Sequence, residues 1–125
     1  MGVMGWAEML VKLGIPYDSE EALEKGAEIM KFINDHSLAA SEELAIARGV
    51  FPNFLNSVYD ENGQNSRSWA KGQPRNCART TIAPTGTIAI AAGLQGSGIE
   101  PFFSIAYTRY NAKALDALKK EETPN

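Results

Sequence analysis

One cysteine and one histidine are all that the 125 residues hold of the side chains most used to bind transition metals. With Cys77 alone, neither an intrachain disulfide nor a cysteine-rich metal site can form, a usage that fits a reducing cytoplasm. His36 has no second histidine, no cysteine and no clustered carboxylates at ligand spacing, so it reads as an ordinary helix residue, satisfied or exposed. No apolar run approaches the roughly 18 to 20 residues needed to cross a bilayer, and no membrane partner is expected. The opening Met1-Gly2-Val3-Met4-Gly5-Trp6 lacks a basic stretch followed by a long apolar one, and Trp6 stands where myristoylation wants Ser or Thr. Basic charge is also scarce: 12 Lys and Arg against 15 Asp and Glu leave a net charge of −3, which argues against a nucleic-acid surface. Positive charge gathers only at Lys71, Arg75 and Arg79, shortly before Pro84.

What is present suits a soluble globular protein, in a length that allows one domain at most or a piece of one. Val3, Trp6, Ala7, Leu10 and Val11 fall at helical spacing, and Gly14 with Pro16 just beyond ends that helix. Asp18-Ser19-Glu20-Glu21 predicts a capping box, with the Asp18 carboxylate accepting from the first turn and Glu21 reaching back. Leu23, Gly26, Met30, Ile33, Ser37, Ala40, Leu44 and Ala47 then repeat at steps of three and four, so a helix of roughly 30 residues is expected to run to Gly49. Its small positions would let a neighbour approach closely, and its length suits a body larger than this chain alone. Residues 50–74 read as irregular, with a turn at Asn62-Gly63 and Phe51, Phe54, Val58, Tyr59 and Trp69 tacking the loop down. Trp6 reads as a packing residue too, and Cys77 as a small half-buried one. Two short strands are expected, at Thr80–Ile82 and Phe102–Tyr107. Between them Ile88-Ala89-Ile90-Ala91-Ala92 suits a short buried helix. A frayed helix over Ala112–Lys120 and a disordered tail over 121–125 complete the reading.

The chemistry concentrates where the first strand would meet the short helix. Pro84-Thr85-Gly86-Thr87 places a stiff entry, two hydroxyl donors and a residue without Cβ at the start of that helix. There the first amides have no intrahelical partner and the dipole is positive, an arrangement suited to anions. Thr-Gly turns before helices are common, and on these residues alone a purely structural turn is the commoner reading.

Longer runs point further. Arg75-Asn76-Cys77-Ala78-Arg79-Thr80-Thr81-Ile82-Ala83-Pro84-Thr85-Gly86-Thr87-Ile88, then Gly98-Ile99-Glu100-Pro101 and Tyr107-Thr108-Arg109, resemble the vitamin B12-dependent (class II) ribonucleotide reductases. So do Gly2-Val3-Met4-Gly5, Leu13-Gly14-Ile15-Pro16-Tyr17 and Ser41-Glu42-Glu43-Leu44-Ala45, in the same order. The resemblance covers positions 2 to about 110. It implies an α/β fold: residues 1–120 as part of a ten-stranded α/β barrel, with one long helix, two short strands and a short helix after the phosphate-binding turn. It implies that Pro84, Thr85, Gly86, Thr87, Ile88 and Ala89 bind the phosphates of a ribonucleoside di- or triphosphate. Ala89 stands where Ser is more frequent, so one hydroxyl is missing, and Cys77-Ala78 departs from the usual Ala-Thr.

The same resemblance implies adenosylcobalamin as cofactor, a thiyl radical that takes the 3′ hydrogen, loss of water from C2′, and two electrons from a cysteine pair. Its Asn and Glu beside the radical site belong upstream of this stretch. One cysteine cannot fill three cysteine roles, so no catalytic residue is expected here. The partner is then the remainder of the reductase or a split-gene chain, in a homodimer when complete. Glu100 belongs to the resemblance as a functional carboxylate or as a support for the glycine loop. Arg75 and Arg79 either lend positive potential to the phosphate site or lie solvated. Two other readings remain: a class I large subunit, disfavoured by Thr85-Gly86-Thr87 where that class carries a Ser-rich turn, and a non-catalytic nucleotide-binding or interaction module.

Overall fold

The computed structural model describes residues 1–106. Three helices follow one another: α1 (Trp6–Leu13), α2 (Glu20–Arg48) and α3 (Gly86–Ala91). The expected helix over Ala112–Lys120, the tail over 121–125 and Tyr107-Thr108-Arg109 lie outside the described residues.

Helix α1 starts three residues after the expected apolar Val3 and stops where expected. Gly14 takes the left-handed conformation (φ 73°), which only glycine adopts without strain, and its amide turns back to the last carbonyls. The apolar stripe of α1 buries Ala7 and Leu10. Leu10 packs with Ile15 and Ala22, flanked by Trp6 and Met9, and this small cluster is the core.

Helix α2 is 29 residues long, about 43 Å at ~1.5 Å per residue. Its cap corrects the sequence reading. Ser19, not Asp18, is the N-cap, with Oγ accepting from the Ala22 amide at 3.2 Å. The hydroxyl is held in place because it also donates to the Pro16 carbonyl at 2.7 Å, so the turn after Pro16 selects Ser19. The covered face of α2 is also shifted. Gly26, Met30, Ile33 and Ser37 are half-buried as the spacing predicts, but the fully buried positions are Ala22 and Ser41, while Leu23, Ala40, Leu44 and Ala47 are exposed. Gly26 fulfils its expected role, since a Cβ there would sit 3.4 Å from the Trp6 ring.

The loop between α2 and α3 hangs on the C-terminal half of α2. Ser41 Oγ accepts from the Asn76 amide at 2.9 Å and donates to Asn76 Oδ1 at 3.1 Å. The Ser41 carbonyl takes the Arg75 amide at 2.9 Å, and Glu42 Oε1 takes the Gln73 amide at 3.0 Å. The Asn62-Gly63 turn forms as expected, with the Gly63 amide donating to the Asp60 carbonyl at 2.9 Å. Phe51 is buried edge-on against Phe54 and Tyr59. Trp69 is not a packing residue: it is 73% exposed. Cys77 is exposed rather than half-buried.

Neither expected strand is formed among the described residues: Thr80–Ile82 and Phe102 to Ala106 carry no ladder. A strand exists only where a neighbour pairs with it, and Thr80–Ile82 has one residue beside it. The Met1 amino group donates to the Arg79 carbonyl at 2.8 Å, and the Thr81 amide donates to the Met1 carbonyl at 2.9 Å. Two bonds from one residue to the residues on either side of Thr80 are the pattern of a parallel pair. The intervening α1 and α2 form the helical crossover that parallel pairing requires.

Candidate functional site

The turn at Pro84 leads directly from the paired segment into α3. Thr85 is its N-cap, in the left-handed region at φ 53° and ψ 26°, where a β-branched residue is an outlier. Its side chain makes no capping bond to α3. Instead Thr85 Oγ1 accepts from the Gly98 amide at 2.7 Å. The hydroxyl read from sequence as a donor is therefore already an acceptor, with its own hydrogen still free to donate. Inside α3 the first amide with an acceptor is that of Ala89, on the Thr85 carbonyl at 2.8 Å. The amides of Gly86, Thr87 and Ile88 have none among the described residues.

Space over the turn is open. A Cβ at Gly86 would meet nothing within 4 Å. Pro84, Thr87 and Ile88 are exposed, and Ala89 is buried beneath them. The short helix is thus not buried as a whole: Ile88 is 57% and Ile90 65% exposed, because its apolar side chains have no described neighbour to pack on. The Ala89 side chain points inward, so the Ser that it replaces would not add a donor on this open side.

The two arginines considered for the site are used elsewhere. Arg75 Nη1 donates to the Val50 carbonyl at 3.0 Å and binds the loop that follows α2. Arg79 spans Tyr59 Oη and Asn34 Oδ1, each at 3.0 Å. Glu100 is exposed, and its amide, not its carboxylate, closes the glycine loop onto the Ser97 carbonyl at 2.9 Å. His36 is exposed and held by its own helix, with Nδ1 2.8 Å from the Phe32 carbonyl. No group of three His, Cys, Asp or Glu among the described residues could hold a metal ion, and no helix among them is long and apolar enough to cross a membrane.

Three residues support the turn through contacts that the sequence does not indicate. Gly98 is the partner of Thr85. Glu8, on α1, accepts the Gln95 and Gly96 amides with Oε1. Tyr17 Oη donates to the Ile99 carbonyl at 2.7 Å. Gly98 and Tyr17 lie within runs that carry the family resemblance, and the glycine spacing of residues 93, 96 and 98 marks a bent loop. Glu8 carries no local signal beyond being an acid in the first turn of a helix.

One parallel bridge links Met1 to the residues on either side of Thr80, with α1 and α2 between them and α3 opening just beyond; no strand forms among the described residues. The profile of the ribonucleotide reductase barrel domain matches residues 1–122, and the chain belongs to that family. It is 51% identical over 119 residues to the vitamin B12-dependent ribonucleoside-diphosphate reductase of Thermoplasma acidophilum, covering 95% of this chain and 14% of that relative. To the Mycobacterium tuberculosis protein of the same name it is 46% identical over 109 residues, 87% of this chain and 14% of the relative. To the ribonucleoside-diphosphate reductase subunit alpha of Helicobacter pylori it is 30% identical over 142 residues, 92% of this chain and 18% of the relative. The chain thus spans about one seventh of the length of the relatives named vitamin B12-dependent, 14% in each case.

Proposed function

We propose that this chain is the substrate-phosphate-binding segment of a ribonucleotide reductase, part of a ten-stranded α/β barrel that converts ribonucleotides to 2′-deoxyribonucleotides. The observation that carries the reading is the start of α3. Three consecutive amides without acceptors, the exposed Thr87 hydroxyl and the open space over Gly86 together offer donors to an anion on an approachable surface. Pro84, Thr85, Gly86, Thr87, Ile88 and Ala89 form this grip, the last from beneath. Its contribution is orientation: by fixing the phosphates it fixes where the ribose stands against reacting groups supplied by the rest of the reductase.

The class is the adenosylcobalamin-dependent one. Identity of 51% and 46% to relatives named for vitamin B12, against 30% to a subunit alpha, supports it over the class I reading. The cofactor brings its own metal, and the role assigned to this chain is toward the substrate; His36, its one histidine, is held by its own helix.

In the complete reductase, Thr87→Val removes one neutral donor from a charged ligand. It is expected to raise KM for the ribonucleotide by about tenfold or more while kcat falls by less. Steady-state kinetics with the matching di- or triphosphate decides the matter, and an unchanged KM removes Thr87 from the grip.

A further inference from the structure

Thr85 is held in a conformation its own helix does not enforce. Its left-handed backbone and the absent capping bond leave the turn dependent on something outside α3. That something is the loop over residues 94–98. The Gly98 amide donates to Thr85 Oγ1 at 2.7 Å, and Gly98 is packed so close that a Cβ would lie 2.7 Å from the Ala83 carbonyl oxygen. With one lone pair of Oγ1 filled by Gly98, the Thr85 hydroxyl hydrogen remains free to donate. The loop itself contains Gly96 and Gly98 and follows Gly93, so its backbone has little stiffness of its own. It is fixed from α1: the Trp6 amide donates to the Gly98 carbonyl at 3.3 Å, and Glu8 Oε1 accepts the amides of both Gln95 and Gly96. Glu8 is the one side chain in this set, and a single oxygen of it accepts two of the loop's amides.

We propose that Glu8 is a positioning residue for the substrate grip, acting through residues 95–98 on Thr85; the proposal rests on the phosphate reading given above. Glu8 does not touch the substrate. It keeps the glycine loop seated so that Gly98 can hold Thr85 in its strained conformation, with the hydroxyl free to donate to the anion. Removing the carboxylate releases the loop, and the turn relaxes.

The test uses the complete reductase carrying single and double substitutions, with ribonucleotide KM and kcat measured separately. Glu8→Ala is expected to raise KM about tenfold and to lower kcat by less than about threefold. Glu8→Gln keeps an oxygen that accepts both amides and is expected to stay within about twofold of the parent. Thr85→Val raises KM by itself, and adding Glu8→Ala to it raises KM no further, since both act through one contact. If Thr85→Val raises KM and Glu8→Ala does not, or if the two effects multiply, the relay is wrong while the phosphate reading stands. If Thr85→Val leaves KM unchanged, the phosphate reading fails at this residue and the relay with it. Glu8→Gln behaving like Glu8→Ala also overturns the proposal, because charge rather than acceptance would then be at work. Should Glu8→Ala fail to fold, Glu8→Asp, one methylene too short to reach the loop, is expected to raise KM in the same way, and an unchanged KM there overturns the relay.

Discussion

Two glycines near the turn look alike in the sequence and do opposite work in the structure. Gly98 sits at φ +55°, where side chains are strained, and its missing Cβ is the space occupied by the Ala83 carbonyl. Gly86 has an ordinary helical φ and nothing within 4 Å of where a Cβ would be. Gly98→Ala is therefore expected to cost about 1 to 3 kcal/mol from backbone strain alone, with the clash in addition. It should lower the melting temperature of the reductase carrying it. Gly86→Ala should leave the melting temperature unchanged or slightly raised, since alanine favours helix by up to ~1 kcal/mol. Yet, on the proposed phosphate role of the turn, it should raise ribonucleotide KM, because its methyl would fill the open space over the helix start. A Gly86→Ala enzyme with parental KM would show that the open space is not used. The same contrast explains why the grip was only partly legible. Pro84, Thr85, Gly86 and Thr87 are contiguous, and their amides follow from helix geometry. Glu8, Tyr17 and Gly98 reach the turn through contacts 82 to 88 residues apart or across a glycine loop, where no local rule operates.

Elements were readable where a residue's own backbone preference decides them and misread where a partner decides. Gly14 and Gly49 end α1 and α2 as the sequence indicates, because both take positive φ. The start of α2 was misplaced by one residue, since Asp18 and Ser19 are both good caps and the Pro16 carbonyl, not propensity, settles the choice by holding the Ser19 hydroxyl. Ser19→Ala is accordingly expected to destabilise the first turn by about 1 kcal/mol, and Asp18→Ala to leave it nearly unaffected. Hydrogen exchange at the Ala22 amide reads this directly: about fivefold faster in Ser19→Ala, and parental in Asp18→Ala. The reverse ranking would return the cap to Asp18. The strand at Thr80–Ile82 shows the other limit. Its β-branched residues fit a sheet, but only Met1 lies beside it, so a single parallel bridge forms. The stripe on α2 was shifted for a related reason: Ser41 is buried because the 73–76 loop bonds to it, a demand invisible to hydropathy.

Among the described residues, little apolar surface is buried for so long a helix. Leu10, Ile15 and Ala22 form the buried cluster, while Leu23, Ile46, Leu55 and Phe103 are each more than three-quarters exposed. Helix α2, at about 43 Å, is longer than the ~30 Å of a small domain. What joins its far half to the rest is mainly hydrogen bonds to loop backbone through Ser41 and Glu42, with little buried apolar area behind them. Burial at about 25 cal/mol per Å² is the dominant favourable term in folding, so this chain by itself should lack a sharp folding transition. The 125-residue chain alone is expected to keep helical far-ultraviolet dichroism but to unfold in urea over a broad range, with an m-value below the ~1 to 3 kcal/mol/M usual for small domains. It should also bind a hydrophobic dye in buffer. Nucleoside di- and triphosphates should bind it no tighter than millimolar, because the grip needs a turn held still and the anchors on α1 rest on that small core. A cooperative transition with an ordinary m-value, together with micromolar nucleotide binding, would instead favour a self-sufficient nucleotide-binding module. The two measurements must be read together, since a cooperative chain that does not bind nucleotide would locate the missing determinants in the rest of the barrel rather than in the stability of the turn.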